Sequence, residues 1–548
     1  MASHELRNSW VAKQGKRLNG LFRLMEHPIL WHEAYANIYS NHGALTPGVD
    51  AVTLDGFSQE RVASIIARLK EGTYRCRPVR RVYVPKRNGK KRPLGISSGD
   101  DKLVQEVVRM ILERIYEPIF EDSSHGFRPH RSPHTALEHI KEEWTAVKWL
   151  VDMDLQSYFD TIPHDVLIAL LEKKIDDRRF ICLIKAMLEA GYLEDWTYHT
   201  TYSGVPQGSI VSPILANVVL HELDLFMEIL KKQFDAGKRR KGNNNYIRYS
   251  NKIRHLRKKH DTLKRKEASK EKLQEVKRAI QQVRQQRRKL PSCDPFDTGY
   301  KRLYYCRYAD DFAIGVIGAK ADAEAIKQQV KRYAEETLKL TVSAEKTHIR
   351  HSSKGTMFLG YRIKTYTGNR MVRVKRGKRH FTAKSVSERL QLQIPPEKLP
   401  KYCLAKRYGN YDTMKTRHKQ ELVNLSDAEI ILAYNAELRG LANYYALALN
   451  AKRDMSKLAY LWWQSLLKTL ARKHKASASQ TAKRLKREDG YALIVQNEKK
   501  TRIIRVFRLK DLKPPPLVDS QVDIQPNVFI WTLSRSELIR RLNAEQCY

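Results

Sequence analysis

The sequence predicts an α+β fold, and three segments in order along its 548 residues predict it. Tyr308-Ala309-Asp310-Asp311 interrupts the aromatic-rich apolar run Leu303 to Ile317, so two adjacent carboxylates fall where a hairpin has to turn. VKWLVDMDLQSYFDTIPH (Val147 to His164) contains a β-rich run, Trp149 to Leu155, that carries Asp152 and Asp154, with Phe159 five residues beyond Asp154. GVPQGSIVSP (Gly204 to Pro213) is a turn punctuated by Gly and Pro that opens the apolar helical stretch Ile214 to Leu223.

Each segment alone has an ordinary structural explanation. A four-residue Asp-Asp motif reads equally well as a solvated turn, a lone strand-end aspartate as a cap, and a Gly/Pro loop before a helix as connection only. Together they point to chemistry. Adjacent aspartates at the tip of a strand–turn–strand present hard oxygen ligands to Mg²⁺, and two such ions can clamp the attacking and leaving oxygens of a phosphoryl transfer. Asp152 and Asp154 share one strand face, and the spacing to Phe159 selects Asp154 as the ligand. In polymerases of right-hand architecture the residue at Phe159's spacing meets the sugar of the incoming nucleotide. An aromatic ring there collides with a 2′-hydroxyl, which argues for deoxynucleotides. Gln207 offers an amide to the nucleotide on a backbone that its Gly and Pro neighbours allow to approach closely.

With its other blocks the chain resembles the group II intron reverse transcriptases, the multifunctional intron-encoded proteins also called maturases. HGALTPGVD (His42 to Asp50) resembles the family's N-terminal extension, and VRRVYVPKRNGKKRPLGI (Val79 to Ile96) its first fingers block. SHGFRPHRSPHTAL (Ser124 to Leu137), the Asp154 strand, the Gly204 loop with LANVVLHELD (Leu215 to Asp224) and CRYADD (Cys306 to Asp311) continue the series. AEKT (Ala344 to Thr347) and FLGY (Phe358 to Tyr361) close the palm, and LRGLANYY (Leu438 to Tyr445) resembles the maturase thumb, domain X. Diversity-generating reverse transcriptases typically alter the block in which this chain keeps Gln207, Gly208, Ser212 and Pro213. Retron enzymes usually lack so long an N-terminal extension.

The resemblance implies a right-hand polymerase of fingers and palm with a helical thumb, synthesising DNA from dNTPs on an RNA template with a DNA primer. Asp154, Asp310 and Asp311 would hold two Mg²⁺ ions. Lys86 and Arg92, bracketing the turn Arg87 to Lys90, would hold the nucleotide's phosphates, and Lys346 would approach the leaving pyrophosphate. It also implies binding of the chain's own intron RNA, splicing assistance, and insertion into target DNA by target-primed reverse transcription. The alternatives are an RNA-binding splicing factor with a vestigial polymerase, which three clustered carboxylates oppose, and a host-domesticated enzyme of repair or defence.

Composition agrees. Lys and Arg number 102 against 60 acidic residues, a net charge of +42, so a polyanionic partner is expected. The six cysteines form no Cys-x-x-Cys pair, and no apolar run reaches the roughly 18 residues of a membrane span. The N-terminus lacks a secretory core. Lys13, Lys16, Arg17 and Arg23 could mimic an organellar presequence, but a bacterial cytoplasm is expected ahead of a mitochondrion.

The expected layout is an N-terminal extension over residues 1–75, with an amphipathic segment Phe57 to Leu69, then fingers and palm over 76–365. A basic, helical thumb follows over 366–488, and a DNA-binding segment over 489–548. Between about 225 and 298 a charged insertion reads as a solvated hairpin of helices. It resembles the insertion of the mitochondrial-like class and is expected to grip intron RNA through phosphates and shape. SRSELIRRLNAEQCY (Ser534 to Tyr548) resembles the lead-in to an HNH endonuclease domain, with Cys547 as the first of its cysteines. One cysteine cannot supply the roughly four ligands zinc needs, so no structural zinc is expected in this chain.

Overall fold

The computed structural model describes residues 16–512, leaving aside 42, 86–88, 90, 195–196, 202, 207, 295–296, 366–370, 377–378, 385–388 and 498–499, and the side chains of 371–376, 379–384, 497 and 500. Lys86, Gln207 and the segment ending in Cys547 lie outside the described residues. The chain divides into two units, Met1–Arg128 with Lys148–Ile349, and Pro129–Val147 with Arg350–Tyr548.

In the first unit, α1 (Gln59–Glu71) starts where the Ser58 hydroxyl accepts from the Arg61 amide and stops at Gly72, whose φ of 72° only glycine adopts freely. Val62, Ile65, Ile66 and Leu69 recur at helical spacing and are buried. β1 (Val79–Pro85) and β2 (Lys91–Ile96) pair antiparallel with Val84 opposite Arg92. Helix α2 (Gly99–Tyr116) is buried on most of its surface. β3 (Trp149–Asp154) follows, then β4 (Tyr192–Glu194) and β5 (Thr197–His199), which extend the first sheet in the order β2-β1-β4-β5.

Helix α3 (Ser212–Phe234) runs beyond the expected start of the insertion at 225, because Met227 and Leu230 still belong to the core. The insertion itself is α4 (Asn244–Arg265) packed on α5 (Lys270–Arg288) around Ile253, Val276, Ile280 and Val283. Its two ends meet in a stem, where the Asn243 amide donates to Ser292 O at 3.1 Å and the Asp294 amide to Lys241 O at 2.8 Å. The run Leu303 to Ile317 forms the hairpin β6 (Arg302–Tyr308) and β7 (Asp311–Ile317). β6, β7 and β3 lie side by side in that order. Every β7 residue after Asp311 is buried, as befits a strand covered on both faces. Helix α6 (Lys320–Glu336) follows, and one continuous core joins α1, α2, α3 and α6 to the sheet.

The second unit adds strands to the basic, helical pattern expected over 366–488. Met371–Arg376 and Arg379–Lys384 form an antiparallel hairpin, and Leu390–Gln393 is an edge strand on Tyr361–Thr365, which also pairs with Thr356–Phe358. In MVRVKR the cations Arg373 and Lys375 alternate with Val372 and Val374 at a period of two, and the overall basic charge hides that alternation. Helices Asp427–Tyr444 and Ala451–Lys473 form the body, joined where Trp462 Nε1 donates to Tyr434 O at 2.8 Å. The FLGY block lies in this unit, tied to the second tyrosine-rich block. Tyr361 donates its hydroxyl to Tyr444 O, Tyr444 donates to Leu359 O at 2.7 Å, and Tyr445 donates to Gly360 O at 3.0 Å. Among the described residues no helix is long and apolar enough to cross a membrane.

Candidate active site

The register of three strands brings the carboxylates together. β3 pairs with β7 so that Asp154 stands opposite Asp311 while Asp152 stands opposite Ala313. β6 closes on β7 with Tyr308 opposite Asp311, leaving Ala309 and Asp310 as the turn. Asp152 and Asp154 share a face, and only Asp154 has a β7 carboxylate across from it. Burial, and then the charges of Asp310, Asp154 and Asp152, push the Asp311 carboxyl up to about 7. Burial and Asp154 raise Asp310 as well, against the opposing pull of Arg92 and Lys346.

The charges of these aspartates act on one another strongly. Even so, among the described residues no three His, Cys, Asp or Glu side chains are gathered into a closed ligand set. Asp154 is turned onto Lys346, whose Nζ lies 2.5 Å from Oδ2 and whose pKa that bond raises. A group of oxygen-only donors suits a hard divalent cation, and the register of the strands sets Asp154, Asp310 and Asp311 beside one another.

The nucleotide residues expected from sequence fall as follows. Lys346 reaches Asp154 because the chain before it is laced to the end of β3: the Gln156 amide donates to Thr341 O and the Ser343 amide to Asp154 O, both at 2.9 Å. Arg92 sits exposed on β2, close enough for its charge to bear on Asp310. Phe159 lies half-buried in the helical turn Tyr158–Thr161, edge-on to Phe127 with ring centroids 6.1 Å apart. Its carbonyl accepts the Val205 amide at 2.7 Å, and the Gly204 amide donates to Ile162 O at 2.8 Å. Gly204, at φ 89°, lies so close that a Cβ would be 2.8 Å from Asp160 O. The glycine loop is thereby pressed onto the Phe159 turn, and Gln207 follows it in the chain.

Sequence reading missed what lies under the aspartate turn. Residue 309 is an alanine in the left-handed region, φ 53°, a conformation that costs an L-residue roughly 1–2 kcal/mol. Beside it Ser124 pairs with Arg307 in parallel, the Arg307 amide donating to Ser123 O at 2.8 Å and the His125 amide to Arg307 O at 2.9 Å. Gly126 therefore abuts the turn, and a Cβ on it would be 2.2 Å from Ala309 N. Behind both, the fully buried Arg307 pairs with the equally buried Asp224 of α3. Two signals in the sequence mark this layer. Arg307 is a cation inside an apolar run, and Asn217 and Asp224 stand seven apart on an apolar helix.

Gly126→Ala should lower primer extension by about a hundredfold, since backbone rather than a pliant side chain must yield, and a misplacement near 1 Å costs about that much. Intron RNA affinity should hold, and extension at the normal rate would show that the turn relaxes freely.

The chain matches the family model described as "Reverse transcriptase (RNA-dependent DNA polymerase)" over residues 84–363, and the one described as "Type II intron maturase" over 387–513. It is similar to the group II intron-encoded protein LtrA of Lactococcus lactis subsp. cremoris, 41% identical over 532 residues, which cover 96% of this chain and 86% of that protein. It is also similar to an uncharacterized 91 kDa protein in the cob intron of Schizosaccharomyces pombe, 36% identical over 83% of this chain and 54% of that protein. Protein YkfC of Escherichia coli is 34% identical over 65% of this chain and 86% of its own length. The chain belongs to the group II intron-encoded reverse transcriptases, combining an RNA-directed DNA polymerase with an intron splicing maturase.

Proposed function

We propose that Asp154, Asp310 and Asp311 form the polymerase centre and hold two Mg²⁺ ions, in a palm built on β3, β6 and β7 with β1 and β2 as fingers and the second unit contributing the thumb. The observation that carries this reading is the register that sets Asp154 across from Asp311 with Asp310 at the turn. Bound Mg²⁺ would supply positive charge to the attacking and leaving oxygens of phosphoryl transfer. The chain's own groups do the rest. Arg92, together with Lys86, holds the triphosphate. Lys346, moving from Asp154, meets the negative charge of the departing pyrophosphate, and Gln207 seats the nucleotide.

Phe159 is held at its carbonyl by Val205 and at its ring by Phe127, so it does not swing aside to admit a 2′-hydroxyl. The reaction is copying of intron RNA from a DNA primer in target DNA. The chain's excess of Lys and Arg binds that RNA for splicing, and the Lactococcus lactis relative supports a bacterial cytoplasm as the setting.

Phe159→Val tests the placement of the nucleotide. Opening the wall should raise the use of rNTPs relative to dNTPs by about tenfold to a hundredfold, with dNTP incorporation little changed. Unaltered sugar discrimination would make Phe159 a packing residue and move the sugar elsewhere.

A further inference from the structure

We infer that Arg307 and Asp224 are positioning residues for polymerisation, fixing the aspartate turn through the Ala309 carbonyl; the inference rests on the assignment of Asp310 and Asp311 as metal ligands. Arg307 has no exposed surface, and neither does Asp224. Its Nε donates to Asp224 Oδ1 at 2.8 Å and one terminal nitrogen to Oδ2 at 2.6 Å. That nitrogen also donates to Ser124 Oγ at 2.6 Å. The other donates to Asn217 Oδ1 at 2.9 Å and to Ala309 O at 3.1 Å. Asn217 Nδ2 donates in turn to Gly126 O at 2.9 Å, and the Tyr305 hydroxyl to Asp224 Oδ1 at 2.9 Å.

One planar guanidinium thus joins α3, the 123–126 segment and β6 to the single carbonyl that lies between Tyr308 and Asp310. A buried ion pair is weak evidence for stability, because desolvating both charges offsets most of their attraction and an apolar pair of similar volume often serves as well. What an apolar pair would not supply is a donor to Ala309 O. That residue sits in a left-handed conformation its side chain disfavours, and conformations of this kind persist where the surroundings over-determine them. The fork geometry of arginine reaches five acceptor atoms on four residues at once, whereas an ammonium meets Asp224 but does not also span Asn217, Ser124 and Ala309 O.

The test compares Arg307→Lys, Ser124→Ala and Asp310→Asn in the full chain. Arg307→Lys should keep intron RNA affinity and the dNTP KM within about threefold while kcat falls by about a hundredfold, the cost of a misplaced reacting group. Amide exchange in the peptide covering 304–313 should quicken without a matching change in α1, and Mn²⁺ binding followed by electron paramagnetic resonance without nucleotide should weaken. Ser124→Ala, which removes one hydroxyl and leaves the ion pair, should lower kcat several-fold at unchanged KM. A folded Arg307→Lys with wild-type kcat and exchange would overturn the inference. If Arg307→Lys does not fold, Ser124→Ala decides, and wild-type kcat there overturns it. Full activity in Asp310→Asn would instead overturn the ligand assignment itself.

Discussion

Asp310→Asn should lower RNA-templated DNA synthesis with Mg²⁺ by roughly a thousandfold or more, the upper end of what one preorganised charge-stabilising contact is worth. The substitution keeps the shape of the turn and removes one anionic ligand. It also lightens the repulsion that, after burial, raises Asp311, so stability should hold or rise slightly. Intron RNA affinity should stay within about twofold, because one carboxylate is a minor part of a chain with net charge +42. Asp154→Asn should do the same damage, whereas Asp152→Asn, whose partner across the sheet is Ala313, should retain at least about a tenth of the activity. Primer extension on an RNA template and filter binding of the intron settle both points together. Wild-type extension by Asp310→Asn would remove it from the metal site, and a dead Asp152→Asn beside an active Asp154→Asn would exchange their roles.

The parts of this site that sequence makes legible are those whose chemistry is local. An Asp-Asp pair inside an apolar run has to be a turn, and a strand with aspartates at a spacing of two has to put them on one face; β3, β6 and β7 follow directly. Pairing register is not local. Nothing in VDMD says which aspartate will face β7, and the ladder that sets Asp154 against Asp311 depends on how both strands pack beneath α3 and α6. The supporting layer is harder still to read. Gly126 and Ala309 lie far apart in the sequence, and the need for a missing Cβ at 126 exists only once Ser124 pairs with Arg307. Strands in the second unit were obscured for another reason. Lys and Arg are scattered through residues 371–384, and such a stretch resembles a solvated helix as readily as a hairpin.

Excising the basic helical hairpin should separate the chain's two activities. The stem closes cleanly, with Gly242 paired antiparallel to Cys293 and main-chain hydrogen bonds on both sides of that bridge. Residues 244–291 can therefore be replaced by a short Gly/Ser turn without pulling on α3 or β6. The hairpin's core of four buried residues is its own, and its removal orphans little of the main core. α4 carries eight Lys and Arg against one Asp, and α5 seven against two Glu. Burial and the charges of Arg257, Arg287 and Arg288 lower the pKa of Arg284, a sign of cations crowded on one surface. Such crowding is relieved by a polyanion, and phosphates spaced along structured RNA supply one. If about six of these cations touch phosphates, the slope of log affinity for the intron against log salt should become shallower by roughly 4 to 5 on excision. Affinity near 0.1 M salt should fall by about a hundredfold or more, since each of the released counterions contributed to it. Extension of a generic primer on an unstructured RNA template should continue at close to the original rate, because the aspartate turn and its buried support lie outside the excised residues. Equal loss of both activities would show that the hairpin braces the polymerase, and an unchanged salt slope would show that its cations face solvent rather than the intron.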